Sequence, residues 1–395
     1  MNATRLTLCL VTALALPAPP LEVPFSDITL ASLVDFKHEA SPTAQKYLIE
    51  TMGGGVAVFD YNNDGRLDIF FVNGAALADP MPAGGAPDKS NPKFWNRLYR
   101  QKPDGSFTDV TAKAGLSGQA QGIYGMGVAV GDYDNDGFSD LYVTGYGANT
   151  LYRNIGGGTF QDVTARAGVG AGGWSSSAGF FDYDNDGRLD LFVGRYVEWS
   201  FAGNRYCGEP APGARAYCHP DNFNSIPNLL YRNNGDGTFT DVSTAAGIAH
   251  PNGKTLGVSF ADYDGDGFTD VFVANDSVQC FLFHNNRNGT FTEVSLPAGA
   301  GFNEDGKTVA GMARTSPTTT TMACPTLLSR ISPTSATCCF ATTATPLSRT
   351  PRTPADWDAP RFPTPVGVRG FSISTTTDGR TSSSRRATSW IPLRP

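Results

Sequence analysis

Apolar positions in this chain come in short runs that recur around strongly acidic stretches. Four segments share one pattern: V-A-V-F-D-Y-N-N-D-G-R-L-D-I-F-F-V from Val56, V-A-V-G-D-Y-D-N-D-G-F-S-D-L-Y-V from Val128, A-G-F-F-D-Y-D-N-D-G-R-L-D-L-F-V from Ala178, and V-S-F-A-D-Y-D-G-D-G-F-T-D-V-F-V from Val258. Each predicts an apolar strand, a nine-residue polar turn and a second apolar strand, with aromatic and β-branched residues enriched as strands require. A second element follows each time, with Leu-Tyr-Arg or Leu-Phe-His and then Phe-Thr-Asp-Val or a close variant, ending at Val110, Val163, Val242 and Val294. It predicts a third and a fourth strand.

Four short antiparallel strands make one propeller blade, so the fold class expected is all-β, a β-propeller with metal-binding hairpin loops. The first aspartate of the turn falls at Asp60, Asp132, Asp182 and Asp262. These spacings become regular once blades one and three are allowed insertions, at residues 73–95 and 198–227. The underlying repeat is then one blade long.

Each acidic turn has the form D-x-[DN]-x-D-G-x-x-D. Alternate side chains point inward as such a turn coils, Gly at position 6 permits the bend, position 7 offers a carbonyl and position 9 closes the cage. The side-chain ligands expected are Asp60, Asn62, Asp64 and Asp68; Asp132, Asp134, Asp136 and Asp140; Asp182, Asp184, Asp186 and Asp190; and Asp262, Asp264, Asp266 and Asp270. The carbonyls come from Arg66, Phe138, Arg188 and Phe268. Oxygen-only cages of this flexibility suit Ca²⁺ better than Mg²⁺. Strands in place of flanking helices, and no Glu at position 12, separate these loops from an EF-hand.

Composition agrees with short strands and turns: of 395 residues, 45 are Gly and 27 Pro. The net charge of -7 hides a split, because residues 314–395 carry ten Arg and three Asp while the body before them is strongly acidic. An acidic body disfavours nucleic acid and favours divalent cations. Arg5, the apolar Leu6 to Leu16 and the small Ala13, Ala15 and Ala18 predict an export signal over residues 1–18, and no other run is long enough to span a membrane. Export to a secreted, periplasmic or cell-surface location permits disulfides, and Cys207 with Cys218 is expected to staple a Gly/Pro/Tyr-rich loop; the alternative, a zinc pair with His219, lacks a second ligand pair. Cys280 is expected to be a small semi-buried residue.

The repeated acidic hairpins followed by a Gly-x-Phe element resemble the FG-GAP and VCBS repeats of integrin α-chain propellers and of many secreted bacterial proteins. More narrowly, L-I-E-T-M-G-G-G-V-A-V-F-D-Y-N-N-D-G-R-L-D-I-F-F-V-N-G, the Y-C-G…Y-C-H-P insertion and V-A-N-D-S are similar to the cartilage acidic protein family, whose members often end in an ASPIC/UnbV domain. The resemblance covers residues 25–313. It implies a seven-bladed propeller, incomplete here, with calcium in its hairpins and a role in adhesion or extracellular binding.

After Ala313, where a further metal hairpin is due, the sequence turns to R-T-S-P-T-T-T-T-M-A-C-P-T-L. Its composition is that of a Ser/Thr/Pro-rich linker. Back-translated with suitable codons and read in a shifted frame, the same stretch yields D-F-A-D-Y-D-N-D-G-M-P-D-L, a fifth hairpin. Residues 314–395 are therefore expected to be a frameshifted, irregular tail, leaving an open propeller with exposed edges.

No convergent nucleophile, base and orienter is legible: His38, His219, His250 and His284 are scattered, and Ser175, Ser176 and Ser177 are expected to be turn and strand-edge residues. The reading is a binding module for an extracellular protein or glycan, not an enzyme. The alternatives are an accessory or catalytic domain of a secreted carbohydrate- or lipid-acting enzyme, and a structural wall component. Arg100, Arg153 and Arg232, repeated after Leu-Tyr, could form a ligand-binding ring but are expected in inter-blade salt bridges. The two insertions, with Trp95, Trp199, Tyr206 and Tyr217 expected at the surface, are the places for a ligand.

Overall fold

In the computed structural model the first repeat folds as four antiparallel strands, β1 (Val56–Phe59), β2 (Asp68–Phe71), β3 (Arg97–Gln101) and β4 (Phe107–Asp109), paired in sequence order. The structure describes residues 26–119, 122–210, 213–303, 305–308 and 310, with the backbone of Ala341–Thr343. Every described residue belongs to one compact unit, within residues 1–345.

The pattern repeats. The second blade is β5 (Tyr124–Gly131), β6 (Asp140–Gly147), β7 (Thr150–Asn154) and β8 (Phe160–Asp162). In the third, β9 (Gly173–Phe181) and β10 (Asp190–Arg195) are followed by a small ladder of β11 (Cys207–Gly208) with β12 (Arg215–Ala216), and then by β13 (Leu229–Asn233) and β14 (Phe239–Asp241). The fourth is β15 (Thr255–Ala261), β16 (Asp270–Asn275), β17 (Phe281–Asn285) and β18 (Phe291–Glu293). The ends of β6 and β9 also pair, Tyr146 with Trp174, which joins blades two and three. The four-strand reading of each repeat holds.

Inner strands β5, β9 and β15 are buried along most of their length. They read as small and apolar runs because neighbouring blades pack against them, on both faces for β5 and β9 and on the blade-three side for β15. At Gly179 a Cβ would lie 2.1 Å from the Phe260 ring, so only glycine permits that approach. Separate apolar clusters fill each junction. Phe59, Phe70 and Leu98 meet Val128, Leu141 and Tyr152 between blades one and two. Tyr142 and Leu151 meet Leu191 and Tyr231 at the next junction, and Phe181 and Phe192 meet Val271 and Phe283 at the last. Each such aromatic side chain stabilises the fold by about 1.5–3 kcal/mol on burial.

A further cluster caps one end of the blades. Tyr47, Leu48 and Ile49, from a helical turn ahead of blade one, pack with Trp174, Tyr196, Trp199 and Phe223. The second insertion folds over this cluster and is closed by a disulfide between Cys207 and Cys218, with Cα atoms 5.3 Å apart, as the sequence predicts. Trp199 corrects the expectation of exposure: it is 7% exposed, edge-on to Tyr47, Tyr146, Trp174 and Phe201. Tyr206 and Tyr217 are exposed as expected, and Trp95 is half-buried. Ser175, Ser176 and Ser177 are interior residues of β9 rather than strand-edge groups. Cys280 is buried and forms no disulfide.

The expected export signal at residues 1–18 lies outside the described residues. So does the stretch 314–395, expected to be a frameshifted, irregular tail, except for Ala341–Thr343, which form a strand, β19, parallel to β1. No helix among the described residues is long and apolar enough to cross a membrane.

Candidate metal centre

The nine-residue loops are wound by their first aspartate. Asp60 accepts from the N–H groups of Asp64 and Gly65 at 3.1 and 2.7 Å. Asp132, Asp182 and Asp262 do the same with Asp136 and Gly137, Asp186 and Gly187, and Asp266 and Gly267, all at 2.8–3.0 Å. Such a tight coil needs left-handed backbone at positions 4 and 6. Position 4 supplies it with Asn63, Asn135 and Asn185 at φ 56–57° and Gly265 at 77°; position 6 does so with four glycines at 82–89°. At position 7 the N–H groups of Arg66, Phe138, Arg188 and Phe268 donate to the carboxylates of Asp64, Asp136, Asp186 and Asp266.

Position 9 is the structural staple. Asp68, Asp140, Asp190 and Asp270 are at most 1% exposed. One oxygen of each accepts from the tyrosine N–H at position 2, and the other from the N–H of Gln101, Asn154, Asn233 or Asn285 on the third strand. Burial outweighs those bonds and raises the carboxyls, Asp68 to about 6, Asp140 to about 8 and Asp190 to about 7, and neighbouring loop carboxylates push the same way. Asp270 is raised for the same reason.

Carboxylates at positions 1, 3 and 5, or in the third loop at 1, 3 and 9, converge. Ligand atoms of Asp132, Asp134 and Asp136 lie within 4.8 Å of one another, as do those of Asp182, Asp184 and Asp190 and of Asp262, Asp264 and Asp266. Among the described residues no such cluster forms in the first loop, where Asn62 replaces the position-3 aspartate and donates to Asp64. Asp134 Oδ1 and Asp184 Oδ1 are enclosed and accept no hydrogen bond. A buried carboxylate oxygen without a donor is costly unless a cation meets it, so these residues fit a hard divalent ion.

Arginines flank the loops within their own blades, which corrects the inter-blade reading. Arg153 Nε lies 2.5 Å from Asp134 and its Nη2 2.9 Å from Asp136, while Arg232 Nε is 3.1 Å from Asp184. Arg66, Arg188 and Arg287 pair with the position-5 carboxylates Asp64, Asp186 and Asp266. Arg100 makes no such pair, and its enclosed Nε has no hydrogen-bond partner. The role follows from the short third strand, which places its fourth residue beside its own hairpin.

What joins the blades instead was hidden in positions written as x. Asn63 Nδ2 donates to the carbonyl of Gly137, Asn135 to Gly187 and Asn185 to Gly267, at 2.9, 3.2 and 3.0 Å. In the reverse direction Asn154, Asn233 and Asn285 each donate at 2.8 Å to the position-2 tyrosine carbonyl of the preceding loop. Tyr61, Tyr133 and Tyr183 pack their rings on Phe160, Phe239 and Phe291 of the next blade. In the fourth loop Gly265 has no side chain to extend, and Tyr263 lies against His284 of its own blade. The recurrence of Asn or Gly at position 4 was the available signal. His284, read as scattered, sits beside the fourth loop.

The second insertion forms a cleft of about 490 Å³ with β9. Trp174, Trp199 and Phe223 line it with Glu198, Arg205 and Asn224. Glu198 accepts from Asn224, and the Arg205 guanidinium stands over the Phe223 ring.

The model of the FG-GAP-like repeat matches residues 60–143, 132–193, 222–273 and 262–311. Human cartilage acidic protein 1 is 28% identical over 229 residues, 56% of this chain and 30% of that protein; the mouse protein is 26% identical over 236 residues with the same shares. The chain thus spans about 30% of the length of these relatives. Among solved structures, an Agrocybe aegerita lectin recognising non-reducing terminal N-acetylglucosamine is 19% identical over 61% of this chain and 52% of that one, with a TM-score of 0.28. Rhamnogalacturonan lyase YesW is 12% identical over 65% and 55%, with a TM-score of 0.25. Neither likeness is strong enough to argue from.

Proposed function

Because the chain belongs to the FG-GAP-like repeat family, we propose that it is a calcium-loaded extracellular β-propeller that binds a protein or glycan ligand and is not itself an enzyme. One observation carries the metal reading: converging loop carboxylates recur at the same place in successive blades, with the enclosed Asp134 and Asp184 oxygens lacking any donor. The ligands are the side chains at positions 1, 3, 5 and 9 and the carbonyls of Arg66, Phe138, Arg188 and Phe268. Bound calcium supplies the positive charge that lets these carboxylates crowd together. The residues themselves wind the loop, hold it to the third strand and tie it to its neighbours.

The Cys207–Cys218 bond and the similarity to cartilage acidic proteins support an extracellular place. The cleft over blade three supports the ligand site: aromatic faces with a carboxylate, a guanidinium and an amide at the rim offer stacking and hydrogen bonding together.

Thermal melting tests the calcium reading. A site held at twenty times its Kd gains about 1.8 kcal/mol, so several sites acting together raise the melting temperature by more than about 10 °C over excess chelator. An identical melt in calcium and in chelator overturns it. A glycan array with the calcium-loaded protein, beside a hydrolase screen, tests the ligand reading; turnover lost on changing one cleft side chain reverses the choice against an enzyme.

A further inference from the structure

The third strand of blade four carries His284 where the other three blades carry arginine. Strand register places Arg100 opposite Thr108, Arg153 opposite Gln161, Arg232 opposite Thr240, and His284 opposite Thr292. Blades one to three thus carry a guanidinium at this position, which is a permanent cation with no lone pair to give a metal. Blade four carries an imidazole, which can ligate.

Its placement suits that use. His284 Nδ1 lies 3.3 Å from Asp264 Oδ2 and 3.4 Å from Asp270 Oδ1. The nitrogen is enclosed and makes no hydrogen bond of good geometry to either. Ligand atoms of Asp264, Asp270 and His284 fall within 4.8 Å of one another, a second donor set beside the all-oxygen set of Asp262, Asp264 and Asp266. Arg287 pairs with Asp266 at 2.7 Å, as Arg66 and Arg188 do with the position-5 carboxylates of their own loops, so it is the imidazole that sets the fourth loop apart. Tyr263 leans edge-on to the imidazole with ring centres 6.0 Å apart and limits its swing.

Carboxylates alone suit calcium and magnesium, whereas a nitrogen donor added to two carboxylates suits the borderline ions of the first transition row. We propose that in the fourth loop, whose all-oxygen set fits calcium, Asp264, Asp270 and His284 form a mixed nitrogen–oxygen site that takes a divalent transition cation in preference to calcium, while the loops of blades one to three, which lack the imidazole, take calcium. The proposal deepens the calcium reading of these loops and rests on it only for the coiled loop geometry.

The test uses the full chain, stripped with chelator, and cobalt(II) as a probe whose visible absorption reports its ligands. With calcium present in excess, the wild type is expected to bind one equivalent of Co²⁺ with a visible ligand-field spectrum. His284→Arg, which restores the residue of the sister blades, is expected to lose that equivalent and spectrum while keeping its calcium-dependent rise in melting temperature. His284→Asn gives the same readout should the arginine disturb folding, and His219→Asn, in the distant insertion, is expected to behave as wild type. Co²⁺ binding unchanged in both His284 variants, or no Co²⁺ bound by the wild type, overturns the proposal. If Co²⁺ binding depends on His284 but calcium leaves the melt unmoved, the calcium reading falls and this one stands.

Discussion

Asp140 shows how one carboxylate serves two purposes. Its oxygens accept from Tyr133 and Asn154, so it fixes the hairpin to the third strand whether or not an ion is present. Asp184 is the contrast, with one enclosed oxygen that accepts nothing. In excess chelator, Asp190→Ala is expected to cost about 2–3 kcal/mol, because two hydrogen bonds are lost and their buried N–H groups are left unpaired. Asp184→Asn is expected to shift the chelator melt little while removing much of the calcium-induced rise. Urea melts with and without calcium check both; equal behaviour of the two variants contradicts the division of labour.

The same residues set a pH dependence. A carboxyl whose folded pKa lies above its unfolded value of 3.8 takes up a proton on folding, so metal-free stability falls as pH rises through the interval between the two. That interval runs from 3.8 to about 6 for Asp68, about 7 for Asp190 and about 8 for Asp140. In chelator the protein is expected to melt at a higher temperature at pH 5.5 than at pH 8.5. Protons and calcium compete for these oxygens, so the calcium increment is larger at pH 8.5. Melts at the two pH values, with the opposite order in chelator, would refute the assignment.

At the scale of the loop and its strands, the acidic motif was legible because chemistry forces it: only Asp and Asn at alternate positions, with Gly at the bend, wind this turn. The strands were legible from their alternating apolar runs. Position 4 was not, since Asn63, Asn135 and Asn185 look like ordinary polar turn residues until a second blade brings the accepting carbonyl. Nor was the double use of position 9, because the N–H groups it holds come from another strand. These ties predict coupling between calcium sites. Asn135→Gly keeps the left-handed backbone and deletes the bond to Gly187, and is expected to weaken calcium binding in the third loop by a few-fold, as one hydrogen bond of about 1 kcal/mol allows. Calorimetric titration with Asp182→Asn as a reference identifies that site. Gly265→Asn, with no neighbouring atom within 4 Å of an added Cβ, is expected to stay within about 0.5 kcal/mol of wild type.

At the scale of the described unit, the blades carry the repeat and the insertion carries the cleft. Insertion burial was not legible: Trp199 meets Tyr47, Tyr146 and Trp174, which lie far from it in the chain and come together only when three blades stand side by side. The disulfide was legible from local spacing, because both cysteines lie in one loop. Closing a separation of 11 residues contributes about 3 kcal/mol by chain entropy. Cys207→Ser with Cys218→Ser is expected to make Trp199 accessible to a fluorescence quencher while the calcium-dependent melt of the blades persists. Loss of that melt would place the insertion inside the core of the fold rather than upon it.

The asparagine bonds between loops also run in a fixed sense, each loop reaching forward with position 4 and being reached backward through its tyrosine carbonyl. Blades built this way are interchangeable parts with a head and a tail. A gene encoding them can gain or lose a whole unit by unequal recombination and still present each newcomer with the donor and acceptor it needs. A unit like the fourth, with glycine where the forward hand should be, extends such a series only with a weaker join on its downstream side.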